Sequence, residues 1–178
     1  MKWNFQLKNN RTGEEIPEFA TNVEITMTEK ELIFDFDCKN SQFFSASNEY
    51  NGPLFDGDVC EAFICTEDDI NHYYEIEVAP NGCVFLNKVK NNGGGGQTVD
   101  LYPIEDNFVK VDVKLLRNDY KLKFSVPLSK IGYDEKVGIR CNVLRIETEG
   151  GITDKNLLAV SPTLVSDFHY PQFFIKLI

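Results

Sequence analysis

The residues of this sequence that could do chemistry are the acids and bases set inside apolar strand patterns. Glu61 interrupts the run from Val59 to Cys65. A lone carboxylate in such a strand must be paired, hydrogen-bonded or turned to a wet cleft. From Tyr73 to Val78 the chain alternates, with Tyr73, Glu75 and Glu77 on one side and Tyr74, Ile76 and Val78 on the other, which predicts a half-buried strand. Arg145 and Glu147 share a face with Cys141 and Val143. The Arg145 guanidinium could fork onto Glu61 or onto two vicinal hydroxyls of a ligand. Lys88, placed just after the return strand Cys83 to Leu86, is a further cation. These groups suit hydrogen bonding to a polyol, and equally an ion-pair network that steadies a sheet.

Other clusters point to other chemistry. Glu67, Asp68 and Asp69, with Asn71 and His72, offer hard oxygen ligands at a density that could hold calcium. Their order is not that of an EF-hand, and a solvated acidic loop is the plainer reading. Glu61 and Glu75 could in principle act as a glycosidase acid and base, which sequence spacing does not test. The histidines are His72 and His169, and no GxSxG, HExxH or Cys-His signature occurs. Gly93 to Gly96 lack a following Lys-Ser/Thr and helix, so they are not a phosphate loop. They read as a mobile loop on entropy grounds.

Positioning these groups falls to strands. Val23, Ile25 and Met27 alternate with polar residues, as do Leu32, Phe34, Phe36 and Cys38, which predicts an antiparallel hairpin. Ala79-Pro80-Asn81-Gly82 closes a second hairpin, since Pro80 presets φ and Asn81-Gly82 accept left-handed backbone. Val109 to Leu115 and Tyr120 to Val126 form a third, around Arg117-Asn118-Asp119. Val137 to Ile146 and Phe173 to Ile178 are two more strands, with loops at Gly150-Gly151 and at Thr153-Asp154-Lys155-Asn156. No segment has convincing helical period. Antiparallel strands with one polar face must stack their apolar faces, so the expected fold is an all-β antiparallel sandwich, a single domain over residues 1–178.

Composition narrows the partners. The 178 residues carry a net charge of -10. That argues against nucleic acid, where cations neutralise phosphates, and against anionic membranes. No apolar run approaches the ~20 residues needed to span a bilayer. The five cysteines, at 38, 60, 65, 83 and 141, are odd in number, lack a CxxC spacing and lie mostly in apolar patterns, so they read as buried reduced thiols. The start, MKWNFQLKNNRTG, has no apolar signal segment. The chain as written is therefore expected in the cytoplasm, or outside the cell if it is a trimmed fragment.

Several motifs belong together: Gly57-Asp58 with Glu61, Tyr73-Tyr74-Glu75-Ile76-Glu77, and Pro80-Asn81-Gly82. The second half adds Arg140-Cys141-Asn142 through Glu147, Ser161-Pro162-Thr163, and Asp167-Phe168-His169 with Pro171. Jointly they resemble the carbohydrate-binding module family 9-like domains, within the wider DOMON-like β-sandwich group. The resemblance implies non-catalytic binding of a mono-, oligo- or polysaccharide in a polar cleft. Its contacts would come from Glu61, Tyr73, Glu75, Lys88, Arg145 and Glu147. It implies no required cofactor, although calcium sites occur in the family. Best-known members clamp a terminal sugar between two tryptophans. This chain has only Trp3, so Tyr73, Tyr102 or Tyr170 would substitute. The alternatives are a protein-interaction or scaffold sandwich and a glycoside-processing enzyme.

Overall fold

A computed structural model describes residues 1–93, 95–151 and 155–178, with Gln97 described by its backbone alone. Gly94 of the glycine run and Thr153-Asp154 of the expected loop lie outside the described residues. The described residues contain strands and single 3-10 turns and no α-helix, so no helix is long and apolar enough to cross a membrane.

The fold is an antiparallel β-sandwich. The first sheet has five strands in the order β1-β3-β4-β10-β9. These are β1 (Lys2–Gln6), β3 (Thr21–Met27), β4 (Glu31–Cys38), β10 (Tyr120–Pro127) and β9 (Lys110–Leu115). The second has the order β2-β12-β11-β5-β6-β7-β8, with β13 also paired to β11. Its strands are β2 (Lys8–Asn9), β5 (Val59–Cys65), β6 (His72–Val78), β7 (Val84–Asn91), β8 (Val99–Pro103), β11 (Arg140–Glu147), β12 (Asn156–Ala159) and β13 (Ile175–Lys176). The three expected hairpins are present as β3–β4, β6–β7 and β9–β10. Gly82 takes the left-handed backbone (φ 85°) that the β6–β7 turn requires.

The main core lies between the sheets. Phe34 and Phe124, paired across β4 and β10, stack with centroids 4.9 Å apart, and Cys60, Ala62, Ile76 and Val143 cover them from the second sheet. A second apolar cluster sits on the outer face of the second sheet. It contains Val59, Phe63, Tyr73, Phe85, Leu144 and Phe168. The segment from Leu54 to Asp56 and the stretch around Phe168 to Phe174 fold over that face. The strand expected to be half-buried at Tyr73 to Val78 is therefore covered on both faces.

Other boundaries also differ from expectation. Lys88 lies within β7 rather than after it. Only Ile175 and Lys176 of the last expected strand pair, because Pro171–Phe173 forms a 3-10 turn. Strands β1, β2, β8 and β12 carry too few alternating apolar residues to stand out in the sequence.

Candidate functional site

The site is built by strand register. Side chains alternate along β5, sending Cys60, Ala62 and Ile64 inward and Val59, Glu61, Phe63 and Cys65 outward. Glu61 pairs directly with Glu77 on β6, and Phe63 with Glu75. Three carboxylates thus meet on the outer face. One oxygen from each of Glu61, Glu75 and Glu77 lies within 4.8 Å of the others.

These acids are deeply buried, at 2%, 5% and 1% relative exposure respectively. Among the described residues, Glu61 Oε1, Glu75 Oε2 and Glu77 Oε2 find no hydrogen-bond partner. Burial, and then their mutual repulsion, pushes the Glu61 and Glu77 carboxyls well above the usual range. Burial, and then Asp167, pushes Glu75 up to about 8. Asn87 on β7 pairs with Glu75 on the same face, is itself buried, and has an Nδ2 that finds no acceptor among the described residues.

Above the acids lies a cleft of about 460 Å³. Its walls include Phe55, Phe85, Leu101, Asp167 and His169. Phe55 is exposed and meets Phe85 edge-on at 6.1 Å. Lys155 Nζ donates to the Phe55 carbonyl at 2.6 Å and lies 5.9 Å above its ring. On the opposite wall His169 stacks on Phe63 at 4.9 Å, and its Nδ1 shares a 2.7 Å hydrogen bond with Tyr73 Oη. Its Nε2 stands 3.6 Å from Glu75 Oε1. Burial holds the His169 pKa down, with Asp167 opposing. Asp167 in turn accepts from the amides of Gly96 and His169, so this part of the glycine run is tied to the wall instead of free.

Of the six residues expected to contact ligand, the structure gathers Glu61, Tyr73 and Glu75 on the cleft face. Tyr73 is only 1% exposed and packs behind His169, so it supports the wall without offering its ring. Lys88, Arg145 and Glu147 project from the opposite face of the sheet. Arg145 pairs in register with Cys60, not with Glu61. Its Nη2 donates to Glu147 Oε2 at 2.6 Å, and its guanidinium also donates to Thr21 Oγ1 at 2.8 Å and the Lys39 carbonyl at 3.0 Å. This buried ion pair ties the sheets together and is remote from the cleft. Lys88 pairs with Glu67 at 2.7 Å and with the Tyr74 ring. The acidic loop does not converge on a point. Glu67 faces Lys88 and His72, Asp69 accepts from Asn71, and Asp68 is exposed.

Sequence reasoning placed Glu77 on the face of Glu75 without giving it a role, and it missed Phe55, Asn87 and Lys155. The parity of β6 signalled Glu77. Nothing in the sequence signalled the others, which reach the site through long-range packing.

No protein-family model matches the chain, and no curated protein matches it in sequence. Solved structures do match in fold. A protein of Bacteroides uniformis assigned to carbohydrate binding superposes with TM-score 0.76 at 17% identity, over 98% of this chain and 84% of that one. A carbohydrate-binding module of family 9 from Caldicellulosiruptor kristjanssonii, in complex with glucose, gives 0.64 at 12% identity, over 97% and 82%. A family 9 module from the same organism with cellotriose gives 0.56 at 10%, over 87% and 70%. At these identities the likeness establishes the fold, a sandwich shared with carbohydrate-binding proteins.

Proposed function

We propose that this chain is a family 9-like domain that binds carbohydrate without catalysis, in the cleft above Glu61, Glu75 and Glu77. The observation that carries the reading is the set of buried carboxyl oxygens without partners beneath an aromatic-walled opening. Each such oxygen is an acceptor for a hydroxyl, and an unmet buried polar group is destabilising until a ligand satisfies it. Phe55 and Phe85 supply apolar surface for the C–H face of a sugar ring. The fold likeness to modules crystallised with glucose and cellotriose supports the same assignment.

The enzymatic alternative is weaker on chemical grounds. A retaining pair needs one ionised nucleophile, and an inverting pair needs room for a water, with carboxyls ~6.5–9.5 Å apart. Here burial holds Glu61, Glu75 and Glu77 towards the protonated state, and their oxygens are close together.

A glycan array screened with the purified protein, followed by calorimetry on the strongest hit, tests the proposal. Phe55→Ala and Glu75→Gln are each expected to weaken that hit at least ~10-fold, the scale of one lost stacking or buried hydrogen-bond contact. A blank array would favour the protein-interaction reading. Release of reducing sugar that stops in Glu75→Gln would favour an enzyme.

A further inference from the structure

We propose that Glu61, Glu75 and Glu77 form the floor of a site for a hard divalent cation of the calcium class, with open coordination positions facing the cleft. Three geometric observations carry this inference. The first is convergence from two adjacent, hydrogen-bonded strands. Glu61 and Glu77 are register partners and Glu75 lies two residues along β6, so the backbone fixes where the oxygens meet. An ion at ~2.3–2.6 Å from each of two oxygens spans separations of about 5 Å. The three oxygens lie within 4.8 Å of one another.

The second is that one carboxyl oxygen of each acid is buried and finds no donor among the described residues. An exposed acidic cluster is satisfied by water, whereas these oxygens are shut away from solvent. A dication among the three carboxyl groups would offer such oxygens a partner.

The third is independent of the acids. Asn87 is buried beside Glu75, and its Nδ2 finds no acceptor among the described residues. Turning the amide half a turn places Oδ1, another hard ligand, where an unmet donor now points. Three carboxylates and an amide oxygen form an all-oxygen set, which favours calcium over softer metals. The acidic loop at Glu67 to Asp69 has no such arrangement, since Glu67 and Asp69 already face Lys88, His72 and Asn71 while Asp68 is exposed.

A calcium ion held here by four protein groups would have positions left for ligand oxygens. Vicinal hydroxyls of the carbohydrate proposed above suit those positions, and only this last step rests on that proposal.

The test is a calorimetric titration of calcium chloride into the full chain after chelator treatment. One site is expected in the wild type. Affinity should fall at least ~10-fold in both Glu61→Gln and Glu77→Gln, each checked for its fold by circular dichroism, and should be unchanged in Asp68→Asn/Asp69→Asn. Loss confined to the loop variant, or wild-type protein that takes up no calcium, overturns the inference. A glycan array run with calcium and with chelator separates the two proposals. Calcium uptake with a blank array leaves the cation site standing and removes the carbohydrate reading. Glycan binding unaffected by chelator, with no calcium uptake, does the reverse.

Discussion

Glu75 is the residue on which the acidity of the cleft can be measured. Its carboxyl is raised from 4.5 to about 8, first by burial and then by Asp167. A carboxyl raised on folding is more readily protonated in the native state, so its contribution is fully present below about pH 4.5. That contribution is lost as pH rises through about 8. In chelator-treated protein, Tm is therefore expected to fall between about pH 5 and 9, and Glu75→Gln to flatten that slope by holding the position neutral throughout. A Tm that climbed over the same window would mean the floor is ionised in the native state. Arg145 behaves differently. It is fully buried against Glu147, and removing one member of such a pair leaves an uncompensated charge. Arg145→Met is expected to lower stability by about 3–5 kcal/mol in urea unfolding. Calcium affinity of the fraction that remains folded should stay within about two-fold, because the guanidinium lies across the sheet from the cleft; a ten-fold loss would place it in the site after all.

At the scale of elements, the strands around the site are fixed by residues that the sequence motifs mark but do not explain. Asp58, just ahead of β5, accepts from the Thr148 amide at 2.8 Å and hydroxyl at 2.6 Å beyond β11. It also accepts from Ser41 Oγ at 3.1 Å and the Phe44 amide at 2.9 Å. Gly57 leaves no room for a side chain, since a Cβ there would meet the Phe44 carbonyl at 2.6 Å and the Ala46 amide at 2.7 Å. Asp58→Ala strands several buried donors and is expected to lower stability by about 3 kcal/mol in urea unfolding; a change below about 1 kcal/mol would show that water replaces the carboxylate. Similarly, Asn10 bonds Thr163 and the Val165 carbonyl, pinning the stretch that carries Asp167 and His169 into the cleft wall. Much of this architecture was legible. Period-2 alternation marked β3, β4, β6, β9 and β10, and the parity of β6 put Glu75 and Glu77 on one face. The orientation of β11 was not legible, because Cys141 and Val143 on one face are as apolar as Leu144 and Ile146 on the other. Arg145 could therefore be read towards Glu61. Only the β5–β11 register, with Arg145 opposite Cys60, sends it inward. Asn10 and Phe55 escaped for a related reason: each acts across long sequence separations that local pattern does not record.

The molecule as a whole separates the part that holds it together from the part held ready for a ligand. Between the sheets, Leu32, Phe34, Leu122 and Phe124 are fully buried, and core side chains of this kind typically cost about 2–5 kcal/mol each when truncated to Ala. On the outer face of the second sheet the same backbone presents three acids that burial works against. Such a division is expected of a binding site, where local rules are broken and the remainder of the fold compensates. The consequence can be measured. Replacing Glu61, Glu75 and Glu77 together by Gln removes three groups whose ionisation burial opposes, while nearly preserving shape. In chelator at pH 8 the triple variant should melt higher than the wild type, by roughly 5 °C if 2 kcal/mol is recovered in a chain of this length. The same variant should lose both calcium uptake and the strongest array hit. Were it to melt lower instead, the carboxyls would be part of what holds β5 to β6, and their lack of partners would no longer point to a ligand. A higher melting point joined to lost binding would identify the cleft floor as a place where stability has been given up for recognition.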